Sequence, residues 1–208
     1  MKTWRRSLLL LTVTSALLLT GCTGGGSSAK GKLEAAQSVD RTMSGCTAQA
    51  EITADYGQRV YGYTVDLTVQ GGSGVMTVKE PENLAGTILT WSDGETQLAF
   101  DGAELDTGTL SDSGLSPADA MPTILTACQG GEIVDCCMEE QENGQVLHGT
   151  LDLDGDQGGQ IQCWFQPDSY GLLRAELSQD GVTVVTMQFS DFSFTFPEGG
   201  VEDGGGSQ

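Results

Sequence analysis

The chain has 208 residues, a formal net charge of −20 and only nine Lys and Arg against 29 Asp and Glu. That balance disfavours nucleic acid, whose binding needs cations to neutralise phosphates, and it argues against a body lying flat on an anionic membrane. Most of the charge reads as a solubilising surface.

The first segment has three zones. Lys2, Arg5 and Arg6 form a positive start, Leu8 to Leu19 is almost wholly apolar, and Leu19-Thr20-Gly21-Cys22 follows. The apolar run is shorter than the ~20 residues a membrane-spanning helix needs, which is the pattern of an export signal. The tetrapeptide resembles the lipobox of bacterial lipoproteins, in which the cysteine is acylated and becomes the N-terminus. The expectation is a signal peptide over 1–21 and lipidation at Cys22, giving a membrane anchor on the extracytoplasmic face of the cell membrane. Several acyl chains on one cysteine hold firmly where one holds only marginally. Residues 22–29, rich in Gly and Ser, read as a flexible linker, residues 30–197 as a single β domain, and 198–208 as a fraying tail.

Acylation of Cys22 would leave Cys46, Cys128, Cys136, Cys137 and Cys163. Export permits disulfides, but an odd number leaves at least one thiol over, and sequence does not give the pairing. With no C-x-x-C and one histidine, the spacing argues against a Cys/His zinc site.

Along the domain, Lys30 to Ser44 reads as a helix, with Leu33, Ala36, Val39 and Met43 at steps of three and four and Gly45 ending it. The period then becomes two. Tyr61, Tyr63, Val65, Leu67 and Val69 share one face of a strand over Val60–Val69, and polar residues occupy the other. Shorter runs follow at Val75–Val78, Ile88–Trp91, Leu98–Phe100, Leu147–Leu153, Ile161–Phe165, Leu173–Leu177 and Val185–Phe189. Asp93-Gly94, Asp101-Gly102, Asn143-Gly144 and Asp180-Gly181 separate strand-like segments and suit type I′ hairpin turns. Repeated hairpins build an antiparallel meander.

Two irregularities stand out. Val185, Met187 and Phe189 lie at odd positions but Phe192, Phe194 and Phe196 at even ones, so a β-bulge or sharp bend near Ser190-Asp191 is expected to keep both sets on one side. Mid-chain, Ser116-Pro117 reads as a helix cap and first residue, with Met121, Ile124, Leu125 and Cys128 on one face. Pro122 should kink or restart that helix, and Gly130-Gly131 should end it.

This order of elements resembles the LolA/LppX-type lipoprotein and lipid carriers. Met76 to Leu84, which includes Lys79-Glu80-Pro81, resembles the family's strand ending in a basic residue, then x-P and an apolar position. Asp101-Gly102 resembles its next hairpin, Ser116–Gln129 falls where it inserts helices, and Gln162-Cys163-Trp164-Phe165 to Gln188-Phe189 with Asp191-Phe192 resembles its closing strands. The resemblance implies an α+β, mainly β fold: a strongly curved antiparallel sheet, or half-open β-barrel, whose concave face is covered by an N-terminal helix and a mid-chain helical insert. It also implies an apolar cavity for a lipid or for the acyl chains of a lipoprotein. Anchored members of the type include sporulation and germination lipoproteins, so an envelope protein partner is the alternative occupant of the scaffold.

Two short helices are a thin cover for so wide a sheet, which leaves a candidate cavity lined by Tyr61, Tyr63, Val65, Leu67, Trp91, Leu98, Phe100, Met121, Ile124 and Leu125. Each of these residues could equally pack into an ordinary core. Asp152-x-Asp154-x-Asp156 lacks the Gly and Glu of a calcium loop, holding Gln157 and Cys163 at those positions. There is no G-x-S-x-G elbow, and Gly71-Gly72-Ser73-Gly74 lacks a phosphate-loop lysine. His148 is the sole imidazole, and paired carboxylates are uninformative in so acidic a chain. The expectation is therefore no enzyme, no cofactor and no metal.

Overall fold

The computed structural model describes residues 25–92, 94–108, 115–152 and 159–197. The expected signal peptide, Cys22, the tail beyond 197 and most of the Asp152–Asp156 turn lie outside the described residues.

An N-terminal helix α1 (Gly25–Thr42) leads into a meander of six strands: β1 (Gly45–Asp55), β2 (Val60–Gln70), β3 (Ser73–Glu80), β4 (Ile88–Ser92), β5 (Glu95–Phe100) and β6 (Ala103–Gly108). Helix α2 (Pro117–Gly130) then carries the chain back, and a second meander follows. Its strands are β7 (Glu132–Gln141), β8 (Gly144–Asp152), β9 (Gly159–Phe165), β10 (Leu172–Gln179) and β11 (Val182–Thr195). All eleven strands form one sheet in the order β6-β5-β4-β3-β2-β1-β11-β10-β9-β8-β7. Every pairing is antiparallel, and the two meanders are sewn together along β1 and β11. The sheet is curved and not closed: the fold is mainly β, with the two helices on its concave side, as the half-open barrel expectation requires.

The local chemistry explains the joints. Asp101 and Gly102 (φ 49 and 77) and Asp180 and Gly181 (φ 52 and 77) take the paired positive angles of a type I′ turn, whose twist matches the strands it joins. Gly71 and Gly72 (φ 60 and 83) make a further such turn between β2 and β3. The Asn143 turn differs from expectation. Gln141 pairs with Gly144, so Glu142 and Asn143 form the loop and Gly144, at φ 114, already opens β8.

The phase slip in β11 is a bulge. Gln49 pairs with Ser190 and Thr47 with Ser193, which leaves Asp191 and Phe192 opposite Ala48 alone, and Asp191 adopts φ 53. Phe189, Phe192 and Phe194 therefore stay on one side of the sheet, with edge-on ring contacts at centroid distances of 5.8 and 5.2 Å.

Helix α1 begins inside the stretch that reads as a linker. Its buried stripe is Ala29, Leu33, Ala36, Gln37 and Asp40, while Val39 and Met43 are half-buried. Leu33 sits directly over Gly149 of β8, where an added Cβ would come within 2.6 Å of its methyl carbon. Gly149→Val should lift α1 off the sheet and cost roughly 1–3 kcal/mol, the usual penalty of overpacking, which a thermal melt would show.

Helix α2 starts as expected, with the Ser116 side chain accepting from the Asp119 N–H at 3.2 Å and Pro117 in the first turn. It runs unbroken through Pro122 to Gly130, without restarting, and Gly131 caps it. Arg41 of α1 donates to the Gln129 carbonyl at 2.9 Å, and Gln37 to the Gly131 carbonyl at 2.9 Å. These bonds use α2's terminal carbonyls, which have no partner within the helix. The helices thus form one unit. That unit packs chiefly on β7, β8 and β1.

Candidate functional site

The roof is lopsided. Beneath α1 and α2, the concave side of the second meander is filled by its own side chains: Leu147, Leu151, Ile161, Cys163, Phe165, Ala175, Leu177, Val185 and Met187 are all buried. The first meander extends well past the helices. The space left there is a cavity of about 400 Å³.

Its floor comes from Ile52 of β1, Tyr63 and Val65 of β2, Met76 and Val78 of β3, Leu89 of β4, and Leu98 and Phe100 of β5. Ser116, Pro117 and Ala118, the first turn of α2, close one side, and Leu84 and Thr87 another. The lining is overwhelmingly apolar because every strand contributes alternate residues of one face. Leu105 of β6 pairs across from Leu98 and is 61% exposed, so the greasy surface continues to the edge strand. Volume and lining both fall in the range of small-molecule sites.

The structure separates the expected cavity residues into groups. Tyr63, Val65, Leu98 and Phe100 line the 400 Å³ space together. Trp91 and Leu125 line a second cleft of about 340 Å³ on the other flank of α2, shared with Asp119, Thr123, Thr126 and Gln129. Leu67, Met121 and Ile124 are core residues. Tyr61 lies at the outer end of β2, its ring edge-on to Tyr56 at 6.2 Å. Ile52, Met76, Val78, Leu84 and Leu89 are lining residues that sequence reading did not nominate. The inward phase of β3 and β4 could have named Met76, Val78 and Leu89; Leu84 lies in the turn between those strands, and Ile52 could not be reached without β1.

A second buried feature lies under α1. Asp40 is buried, and its Oδ2 has no hydrogen-bond partner among the described residues. Burial pushes its carboxyl up to about 7, against the opposing pull of Arg41. Burial, and then the Asp40 charge, raise the Cys46 thiol to about 12. Cys128 and Cys163 stand with sulfurs 3.7 Å apart as free thiols, and the Cys163 contact and burial both push Cys128 well above the ordinary thiol range.

No protein-family model matches the chain, and no curated protein matches its sequence. Solved structures do. The Mycobacterium tuberculosis lipoprotein LppX is 12% identical, with a TM-score of 0.49 over 82% of this chain and 97% of that one. LprF from Mycobacterium bovis is 14% identical, with a TM-score of 0.45 over 84% of this chain and 98% of that one. The LolA superfamily protein NE2245 from Nitrosomonas europaea is 10% identical, with a TM-score of 0.41 over 79% and 92%. The likeness is one of architecture.

Proposed function

We propose that the chain is an envelope lipoprotein, tethered through acylated Cys22, that holds the acyl portion of a lipid or of a lipidated protein in the cavity between the first meander and the first turn of α2. The observation that carries this reading is the half-roofed sheet: one half of the concave face is self-filled, and the other presents an open apolar trough of about 400 Å³. An unfilled apolar surface of this kind is costly in water unless something occupies it. The lipobox-like Leu19-Thr20-Gly21-Cys22 supports placement beside a bilayer, where such guests are found.

Among the described residues, the lining offers no charged side chain. It therefore suits hydrocarbon and leaves a polar headgroup at the mouth, in water. Native mass spectrometry of the protein extracted from membranes should show a mass increment of one lipid that organic extraction removes. A spectrum of bare protein, together with failure to take up a fluorescent fatty acid, would defeat the reading.

A further inference from the structure

The convex face of the second meander carries a side-chain cluster that the cavity does not use. Cys137 of β7 pairs directly with His148 of β8, and His148 with Trp164 of β9. Glu139 lies two residues along β7, on the same face as Cys137. The three potential donor atoms, Cys137 Sγ, a Glu139 carboxylate oxygen and a His148 ring nitrogen, all lie within 4.8 Å of one another. The Glu139 carboxylate is 2.6 Å from His148 Nδ1, and Cys137 Sγ is 4.0 Å from the same nitrogen.

What surrounds these donors resembles the outer shell of a metal centre. His148 Nε2 is 3.2 Å from Gln162 Oε1. The amide oxygen accepts from Nε2–H, and the Glu139 carboxylate beside Nδ1 can likewise only accept, so a cation bound at Nδ1 would replace the proton that this nitrogen shares with Glu139. Trp164 lies flat on the imidazole, with centroids 4.4 Å apart and planes inclined by 6°. Its indole N–H also donates to the second Glu139 oxygen at 2.9 Å, which leaves the first to point at His148. One ring thus orients two of the three donors, and Arg174 stacks over that ring's other side at 5.1 Å. Such partners fix the tautomer and direction of metal-binding side chains.

We propose that Cys137, Glu139 and His148 form a binding site for a borderline-soft divalent cation of the zinc class. Sulfur, imidazole nitrogen and carboxylate oxygen are the donors zinc takes, and three protein ligands leave the fourth tetrahedral position to water. Bond lengths of a tetrahedral zinc site imply ligand separations of about 3.6 Å for S···N and about 3.4 Å for N···O. Cys137 Sγ must therefore approach and the Glu139 oxygen withdraw, each by less than 1 Å, which side-chain rotation at this half-exposed place supplies. On binding, the Cys137 thiol gives its proton to solvent as the S–metal bond forms, and the proton held between His148 Nδ1 and Glu139 leaves to solvent as the N–metal bond forms; no electrons are transferred. The usual spacing signals miss this site because its ligands sit at alternate residues of one strand and on its neighbour.

The test is titration of the purified full chain, kept reduced, with zinc chloride against a chromophoric chelator. One equivalent should bind, and cobalt chloride should give a sulfur-to-metal charge-transfer band. Gln162→Leu should weaken zinc binding about 10- to 100-fold. Cys137→Ser and His148→Gln should lose more than that, and Cys137→Ser should abolish the cobalt band. Cys136→Ser, whose side chain faces the opposite side of β7, should bind zinc as the parent does. Equal binding by the parent and His148→Gln would mean adventitious capture by the acidic surface and would overturn the proposal. So would the absence of a stoichiometric site in the parent. Melting curves of each variant separate loss of binding from loss of fold.

Discussion

Leu98→Asp should empty the cavity and leave the domain folded. Leu98 lines the trough but is only partly buried, so in the empty protein a carboxylate there can turn toward water through the open mouth. With hydrocarbon seated against it, that escape closes, and the burial cost of an unpaired carboxylate, several kcal/mol, falls on the complex alone. A penalty of even 3 kcal/mol weakens binding more than 100-fold. Native mass spectrometry should therefore show the bare chain, while circular dichroism and the melting temperature stay near those of the parent. Leu67→Asp is the informative contrast. Leu67 is 3% exposed inside the core, so its substitution should unfold the protein. If Leu98→Asp retains its lipid, the guest does not lie in this trough.

Asp40→Asn should stabilise the protein at neutral and alkaline pH. The Asp40 carboxyl rises from 3.8 to about 7 on folding, chiefly through burial. Because the folded state holds this proton more tightly than the unfolded chain, the stabilisation is fully present below about pH 4. It is lost as pH rises through 7 and changes no further above that. A shift of this size corresponds to an upper bound of about 4 kcal/mol. Asparagine keeps the shape and carries no charge, so the variant should gain up to that amount at pH 8 and nothing at pH 3.5. Urea unfolding at the two values checks it; equal gains at both would mean that packing, and not ionisation, was at issue.

Period-two patterning in β2, β8, β9, β10 and β11 was legible because large apolar residues mark the inward face. Three strands escaped for identifiable reasons. β1 is the centre of the sheet, yet three of its inward residues, Ala48, Ala50 and Ala54, are small and have low strand propensity, which leaves Ile52 as the one large apolar mark on that face. β6 and β7 are edges, and the buried-exposed rhythm of β7 is disrupted by a register shift between Ile133 and Asp135. The cavity itself was legible only as an imbalance between sheet and helix. Which half stays open depends on where α1 docks, and that rests on Leu33 meeting Gly149, a contact between residues far apart in sequence.

The bonds from Gln37 and Arg41 to the end of α2 have an implication for what the trough can accept. The wall over the guest belongs to a helix whose far end is fastened to a fully packed core, so it cannot rise to admit a broader molecule without prising that core apart. On the proposed reading, capacity is thereby capped: a slender chain suits the trough, whereas a rigid polycyclic or multiply branched guest would press on that wall at the expense of the protein's own folding free energy.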